Sequence, residues 1–189
     1  MTDLVAELPA RVEVPEPLRR RVAVHEAGHA VLAVVLQSGE IISLSVQRQV
    51  SSDARGVLDG GGFVLRDEAL AERTRDQLLD RVATLLGGLA AEEVVLGQRS
   101  AGGGGGKGSD LHAATMLALS LEASYGLGES LAYLASSNEE DLFTALRLDR
   151  LLQGRVVSDV PAPPFALGRE GRCSKPLRAS TYADFRVYA

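Results

Sequence analysis

Two histidines and a glutamate stand inside the most apolar stretch of this chain, in the order His25-Glu26-Ala27-Gly28-His29, and few folds tolerate that arrangement. Polar groups buried in an apolar helix cost free energy unless partners meet them, and an ionised carboxylate between two imidazoles needs a counter-charge. The stretch itself reads as a helix. Glu16-Pro17 starts it, because proline in the first turn gives up an amide that has no partner there, and Ser38-Gly39 ends it after Gln37. Leu18, Val22, His25, His29, Leu32 and Leu36 form one stripe at helical spacing. Val24, Val31, Val34 and Val35 extend the apolar surface, so packing on several sides is expected.

Histidines four apart on a helix project the same way, so both imidazoles reach one Zn²⁺ at about 2.0–2.1 Å. Glu26 follows the first histidine and precedes the second by three, which sets its carboxylate beside the metal, where it takes a proton from water. Ala27 and Gly28 let another element approach the helix closely. With only three histidines in the chain, two in this pattern are a strong signal for a metal site. A catalytic zinc needs a third protein ligand and an open position. His112 is the remaining histidine, and it reads as a surface or supporting residue. The carboxylate candidates are Glu40, Glu92, Glu93 and Asp110, and the residues alone leave that choice open. Ser109 and Asp110 also fit an ordinary helix cap.

The rest of the chain reads as mainly α. Ile41 to Val46 is rich in β-branched residues, and Phe63-Val64-Leu65 after a turn at Gly60 to Gly62 supplies a partner strand, so a small sheet is expected. A second helical pattern runs from Glu68 through Leu70, Leu78, Leu79, Val82, Leu85 and Leu86 to Gly87-Gly88, where it breaks or bends before Leu89 to Leu96. A mobile loop is expected from Gly97 to Gly108, with five consecutive glycines. A third helix starts at Ser109-Asp110 and ends at Tyr125-Gly126; Tyr125 reads as core. Beyond Gln153 the apolar period stops, and four of the seven prolines fall in the last 36 residues. The chain thus divides into an extension over 1–15, a domain over 16–152 and a tail over 153–189, which is either disordered or read out of frame.

Composition narrows the function classes. At 189 residues and 46% hydrophobic, one domain with a real core is the expectation. A net charge of −5 argues against nucleic acid as a partner, and the run Arg19-Arg20-Arg21 reads as the solvated first turn of a helix. Cys173 stands alone, so no disulfide framework forms within one chain, and a cytoplasmic protein is expected. Met1 to Pro17 lacks the pattern of a signal peptide, and the apolar helix falls short of the roughly 20 residues of a bilayer span. Gly102 to Ser109 superficially suggests a phosphate loop, but Ala101 stands at the first glycine position and Gly108 follows Lys107 where Ser or Thr belongs, so no nucleotide site is expected.

Four segments in order carry a resemblance: His25-Glu26-Ala27-Gly28-His29-Ala30-Val31, Gly87-Gly88-Leu89-Ala90-Ala91-Glu92-Glu93, Gly108-Ser109-Asp110-Leu111 with Ala114-Thr115, and Tyr125-Gly126-Leu127-Gly128. Over residues 18 to 135 the chain resembles the peptidase domain of the FtsH-type zinc proteases. The resemblance implies a zincin-like helical fold with a small sheet after the first helix, and zinc held by His25, His29 and Asp110. It implies Glu26 as catalytic base; Glu92 and Glu93 are then left either as groups that orient a ligand histidine or as solvated helix residues. The implied activity is zinc-dependent cleavage of unfolded proteins in a homo-oligomer fed by an AAA+ ATPase. The membrane anchor and ATPase that usually precede this domain have no counterpart in the sequence. The rival expectation is a non-catalytic module that binds such an ATPase or an unfolded segment.

Overall fold

The computed structural model of the chain describes residues 9–52, 61–66 and 73–159. Strand β1 (Arg11–Glu13) precedes helix α1 (Glu16–Leu36), which has proline in its first turn and ends at Gln37 in a left-handed conformation, φ 53°. Strands β2 (Glu40–Val46), β3 (Gln49–Ser51) and β4 (Gly61–Arg66) follow. β2 pairs antiparallel with β4, Leu44 opposite Phe63 and Val46 opposite Gly61, which is the small sheet the β-branched run predicts. Gly61 and Gly62 lie inside β4 rather than in the turn, and Gly60 lies outside the described residues. β1, within the segment assigned to an extension, pairs antiparallel with β3, and Val14 beside it is buried.

Helix α2 (Arg75–Leu85) starts later than the pattern from Glu68 suggests. Thr74 caps it: its hydroxyl accepts from the Gln77 amide while the Gln77 side chain accepts from the Thr74 amide, a reciprocal cap that fixes the first turn. Residues 67–72, Leu70 among them, lie outside the described residues. Leu86 separates α2 from α3 (Gly87–Leu96), so the expected break falls at the paired glycines. After a 3₁₀ turn at Ala101–Gly103, helix α4 (Asp110–Ala123) begins under a Ser109 cap. Helix α5 (Glu139–Leu148) is capped by Asn138 and carries three acidic residues in its first turn, where the helix dipole favours them. Helix α6 (Arg150–Asp159) is the last described element.

Three contacts organise the packing. Helix α1 crosses α3 backbone to backbone: a Cβ on Gly28 would lie 2.3 Å from the Gly87 carbonyl oxygen, and one on Gly87 would lie 2.7 Å from that of Gly28. The larger apolar cluster joins Ala118, Leu119 and Ala123 of α4 to Ala135, to Leu142 of α5, and to Leu152 and Val156 of α6. A smaller one joins Val82 and Leu86 to Ala114.

Three sequence expectations are corrected here. Regular structure does not stop at Gln153, because Leu152 and Val156, one turn apart, pack their shared face on α4 and α5, and α6 runs to Asp159. Residues 160–189, Cys173 included, lie outside the described residues. Helix α1 is not enclosed: Val31 and Val35 are exposed, because α2, α3 and the β2–β4 sheet lie against its other side. Tyr125 is half exposed just beyond the end of α4 rather than in the core.

Replacing Gly28 by Ala forces apart two backbones that touch, and a loss of about 2 kcal/mol is expected from such overpacking. Leu152→Ala empties a fully buried position on α6, with an expected loss of about 3 kcal/mol. Urea denaturation of both variants checks these values, and wild-type stability for Leu152→Ala would mean that α6 does not dock as described.

Candidate metal centre

Helix α1 presents His25 and His29 on one buried face, their ring centroids 4.8 Å apart and their planes at 73°. Asp110, the first residue of α4, meets both: its Oδ2 lies 2.9 Å from His25 Nε2 and 3.4 Å from His29 Nε2. One ligand atom from each residue falls within 4.8 Å of the others, a separation suited to a shared metal ion. The capping role that Asp110 might have filled belongs to Ser109, whose hydroxyl accepts from the His112 amide. The Asp110 carboxylate is thereby left to face the histidines.

The far side of each ring is held. His29 Nδ1 donates to the Thr84 carbonyl at 2.8 Å, so Nδ1 carries a proton and Nε2 is the nitrogen turned to Asp110 and the common point. The Phe63 ring from β4 stacks on His29 at 5.8 Å. His25 Nδ1 lies 2.8 Å from Glu92 Oε1. Glu92 is 1% exposed, and its carboxylate also accepts from Arg21 Nη1 at 2.7 Å, from the Ser100 amide at 2.8 Å and from Ser100 Oγ at 3.1 Å. Burial works to raise the Glu92 pKa, yet Arg21, Ser100 and His25 outweigh it and hold the group below the usual carboxylate range.

Arg21 corrects the reading of the arginine run. It lies one turn before His25 on α1 and also reaches the Gln98 carbonyl, at 3.0 Å, instead of standing in solvent. Sequence reasoning passed over Ser100 as well. Its signal is the same serine hydroxyl, placed to cap the short turn that follows.

Glycines shape the pocket around the rings. A Cβ on Gly88 would sit 2.4 Å from His25 Nε2, and one on Gly103 would sit 3.2 Å from His25 Cε1 and 3.0 Å from Leu89. The glycine tract therefore contributes a buried turn against the first histidine, and helix α3 precedes it. On the other side a Cβ on Gly61 would lie 2.9 Å from Glu26 Cγ, so β4 passes directly beside the half-buried Glu26.

Not every candidate converges on this point. Glu40 pairs with Arg66 at 2.9 Å at the exposed end of the sheet. Glu93 turns to Arg99 at 3.2 Å. His112 faces Glu139 at 3.6 Å and the ring of Phe143.

The donors suit a divalent cation. Burial opposes charging of His25, but Asp110 and Glu92, on opposite nitrogens, outweigh it and raise its pKa. Burial likewise works to raise the Asp110 pKa, and His25 and His29 overcome it, driving it far below the carboxylate range. The side chains thus favour positive charge at the point between Asp110 and the two Nε2 atoms, where a bound metal would take the place of a proton. Two imidazoles and one carboxylate leave room for a fourth position, as catalytic zinc requires.

The sequence profile of peptidase family M41 matches residues 13–155. The ATP-dependent zinc metalloprotease FtsH 2 of Sphaerobacter thermophilus is 40% identical over 124 residues, covering 66% of this chain and 18% of that protein. The ATP-dependent zinc metalloprotease FtsH of Thermotoga maritima is 36% identical over 135 residues, 70% of this chain and 21% of its own length. That of Bacillus subtilis is 32% identical over 135 residues, 70% of this chain and 20% of its own length. The chain therefore spans about a fifth of the length of these relatives. Among the described residues no helix is long and apolar enough to cross a membrane. Zinc is the metal in the relatives' names, the candidate ligands His25, His29 and Asp110 lie within the matched span, and the chain belongs to peptidase family M41.

Proposed function

We propose that this chain is a zinc endopeptidase domain that cuts unfolded polypeptide, with His25, His29 and Asp110 as metal ligands and Glu26 as general base. The observation that carries the reading is the meeting of Asp110 with both Nε2 atoms, although it stands 85 residues from His25 in sequence. A zinc ion held there supplies a Lewis acid that polarises the scissile carbonyl and acidifies water. Glu26, adjacent to the first ligand, takes the proton of the attacking water as its oxygen adds to the carbonyl carbon. Glu26 then delivers that proton to the amine nitrogen as the C–N bond breaks. Glu92 acts on His25 by fixing its ring, a supporting role that Glu93, turned to Arg99, does not share.

The substrate lies extended beside β4, since Gly61 of that strand borders Glu26 and its Phe63 borders His29. Backbone hydrogen bonds to a strand edge read little side-chain detail, which suits broad action on unfolded chains. Delivery by an AAA+ ATPase fits relatives that are named ATP-dependent, and assembly of several copies belongs to the same reading.

Glu26→Gln is expected to keep its zinc and to lose at least about 100-fold in cleavage of unfolded casein, the scale of a positioned acid–base group. Equal behaviour of this variant and a wild type that cuts nothing would favour the non-catalytic module instead. Asp110→Ala is expected to lose zinc, read as metal per chain by mass spectrometry. Retention of wild-type zinc by that variant would remove Asp110 from the ligand set.

A further inference from the structure

The carbonyl that holds His29 belongs to a residue whose own hydroxyl is fixed by two further bonds. Thr84 is 2% exposed and stands one residue before the end of α2. Its Oγ1 donates to the Asp80 carbonyl one turn earlier, at 2.9 Å, and lies 2.8 Å from Ser38 Oγ. A buried hydroxyl is costly unless bonded, and this one is bonded twice. Back-bonding of a threonine to the preceding turn also bends a helix, and α2 stops at the next residue.

Ser38 closes a circuit. It follows α1, and its amide bonds to the Ala33 carbonyl at 3.0 Å, one turn beyond His29. The path runs from the His29 ring to the Thr84 carbonyl, through the Thr84 hydroxyl to Ser38, and back into α1 near its starting point. A carbonyl only accepts, so a carbonyl fixed at His29 Nδ1 selects the tautomer with its proton there. Phe63 stacked on the ring sets its plane, and the carbonyl sets which edge faces inward.

We propose that Thr84, braced by Ser38, is a positioning residue for His29: the bonds of its hydroxyl to the Asp80 carbonyl and Ser38 fix the end of α2, whose Thr84 carbonyl meets Nδ1 and so turns Nε2 toward the metal point. This rests on the zinc reading for one of its two tests and is independent of it for the other.

Thr84→Val keeps the shape and removes the hydroxyl. In ¹⁵N–¹H correlation spectra of the His29 ring, the wild type is expected to show the Nδ1–H tautomer and Thr84→Val a mixture with Nε2–H. In chelator competition with zinc alone, Thr84→Val is expected to bind about 10-fold more weakly, the scale of lost support behind a ligand. Thr84→Ser should return both readouts to near wild type, and Ser38→Ala should fall between. A Thr84→Val variant with the wild-type tautomer and zinc affinity, whatever its melting temperature, overturns the proposal. If Thr84→Val fails to fold, Ser38→Ala carries the same test, and an unchanged tautomer there is equally fatal. A wild type that takes up no zinc would sink the metal centre, while the tautomer would still decide the role of Thr84.

Discussion

The contact between Gly28 and Gly87 is the constraint on which the site depends. Side chains of ordinary size hold two helix axes 8–10 Å apart, and removing both Cβ atoms at the crossing lets the backbones meet. That closeness places Gly88 against the ring of His25. Glu92 lies one turn further along the same face of α3, so the same crossing brings its carboxylate to His25 Nδ1. One helix thus supplies both the cradle and the orienting anion, and neither can be moved without the other.

Charge alternates outward from the metal point. Asp110 faces both imidazoles, His25 separates it from Glu92, and Arg21 backs Glu92 from within α1 itself. A buried carboxylate with one partner would be a liability, but Glu92 has four contacts, two of them from Ser100. Ser100 opens the turn that puts Gly103 against His25, so the residue that satisfies Glu92 also anchors the glycine loop. Satisfying the anion and walling the site are one structural event.

How much of this was legible in the sequence follows from how local each feature is. His25, Glu26 and His29 sit within a single turn, and their spacing alone gives a shared helix face. The break at Gly87-Gly88 and the β2–β4 pairing were legible for the same reason. Asp110 was not: it is 85 residues from His25, competed with three other carboxylates, and was singled out only by resemblance. Arg21 looked like Arg19 and Arg20, and only the position of Glu92 on another helix sets it apart. Helix α6 offered two adjacent apolar pairs, Leu151-Leu152 and Val156-Val157, and nothing local says that only Leu152 and Val156 meet the α4 surface while Leu151 and Val157 stay exposed. Val31 and Val35 were misjudged because an apolar residue does not announce which elements will cover it.

The two imidazoles are supported differently, and the difference bears on charge. His29 leans on a neutral carbonyl and His25 on a carboxylate. Were both backed by carboxylates, two anions plus Asp110 would more than cancel a divalent cation. Here Glu92 is paired with Arg21, so a dication held by the two imidazoles and Asp110 would keep one positive charge over its ligand set, and Glu26 would face that charge from beside it. That charge would draw electron density from a carbonyl oxygen, the Lewis-acid role proposed for the site. The carbonyl behind His29 is therefore as much a part of the electrostatic design as the carboxylate behind His25.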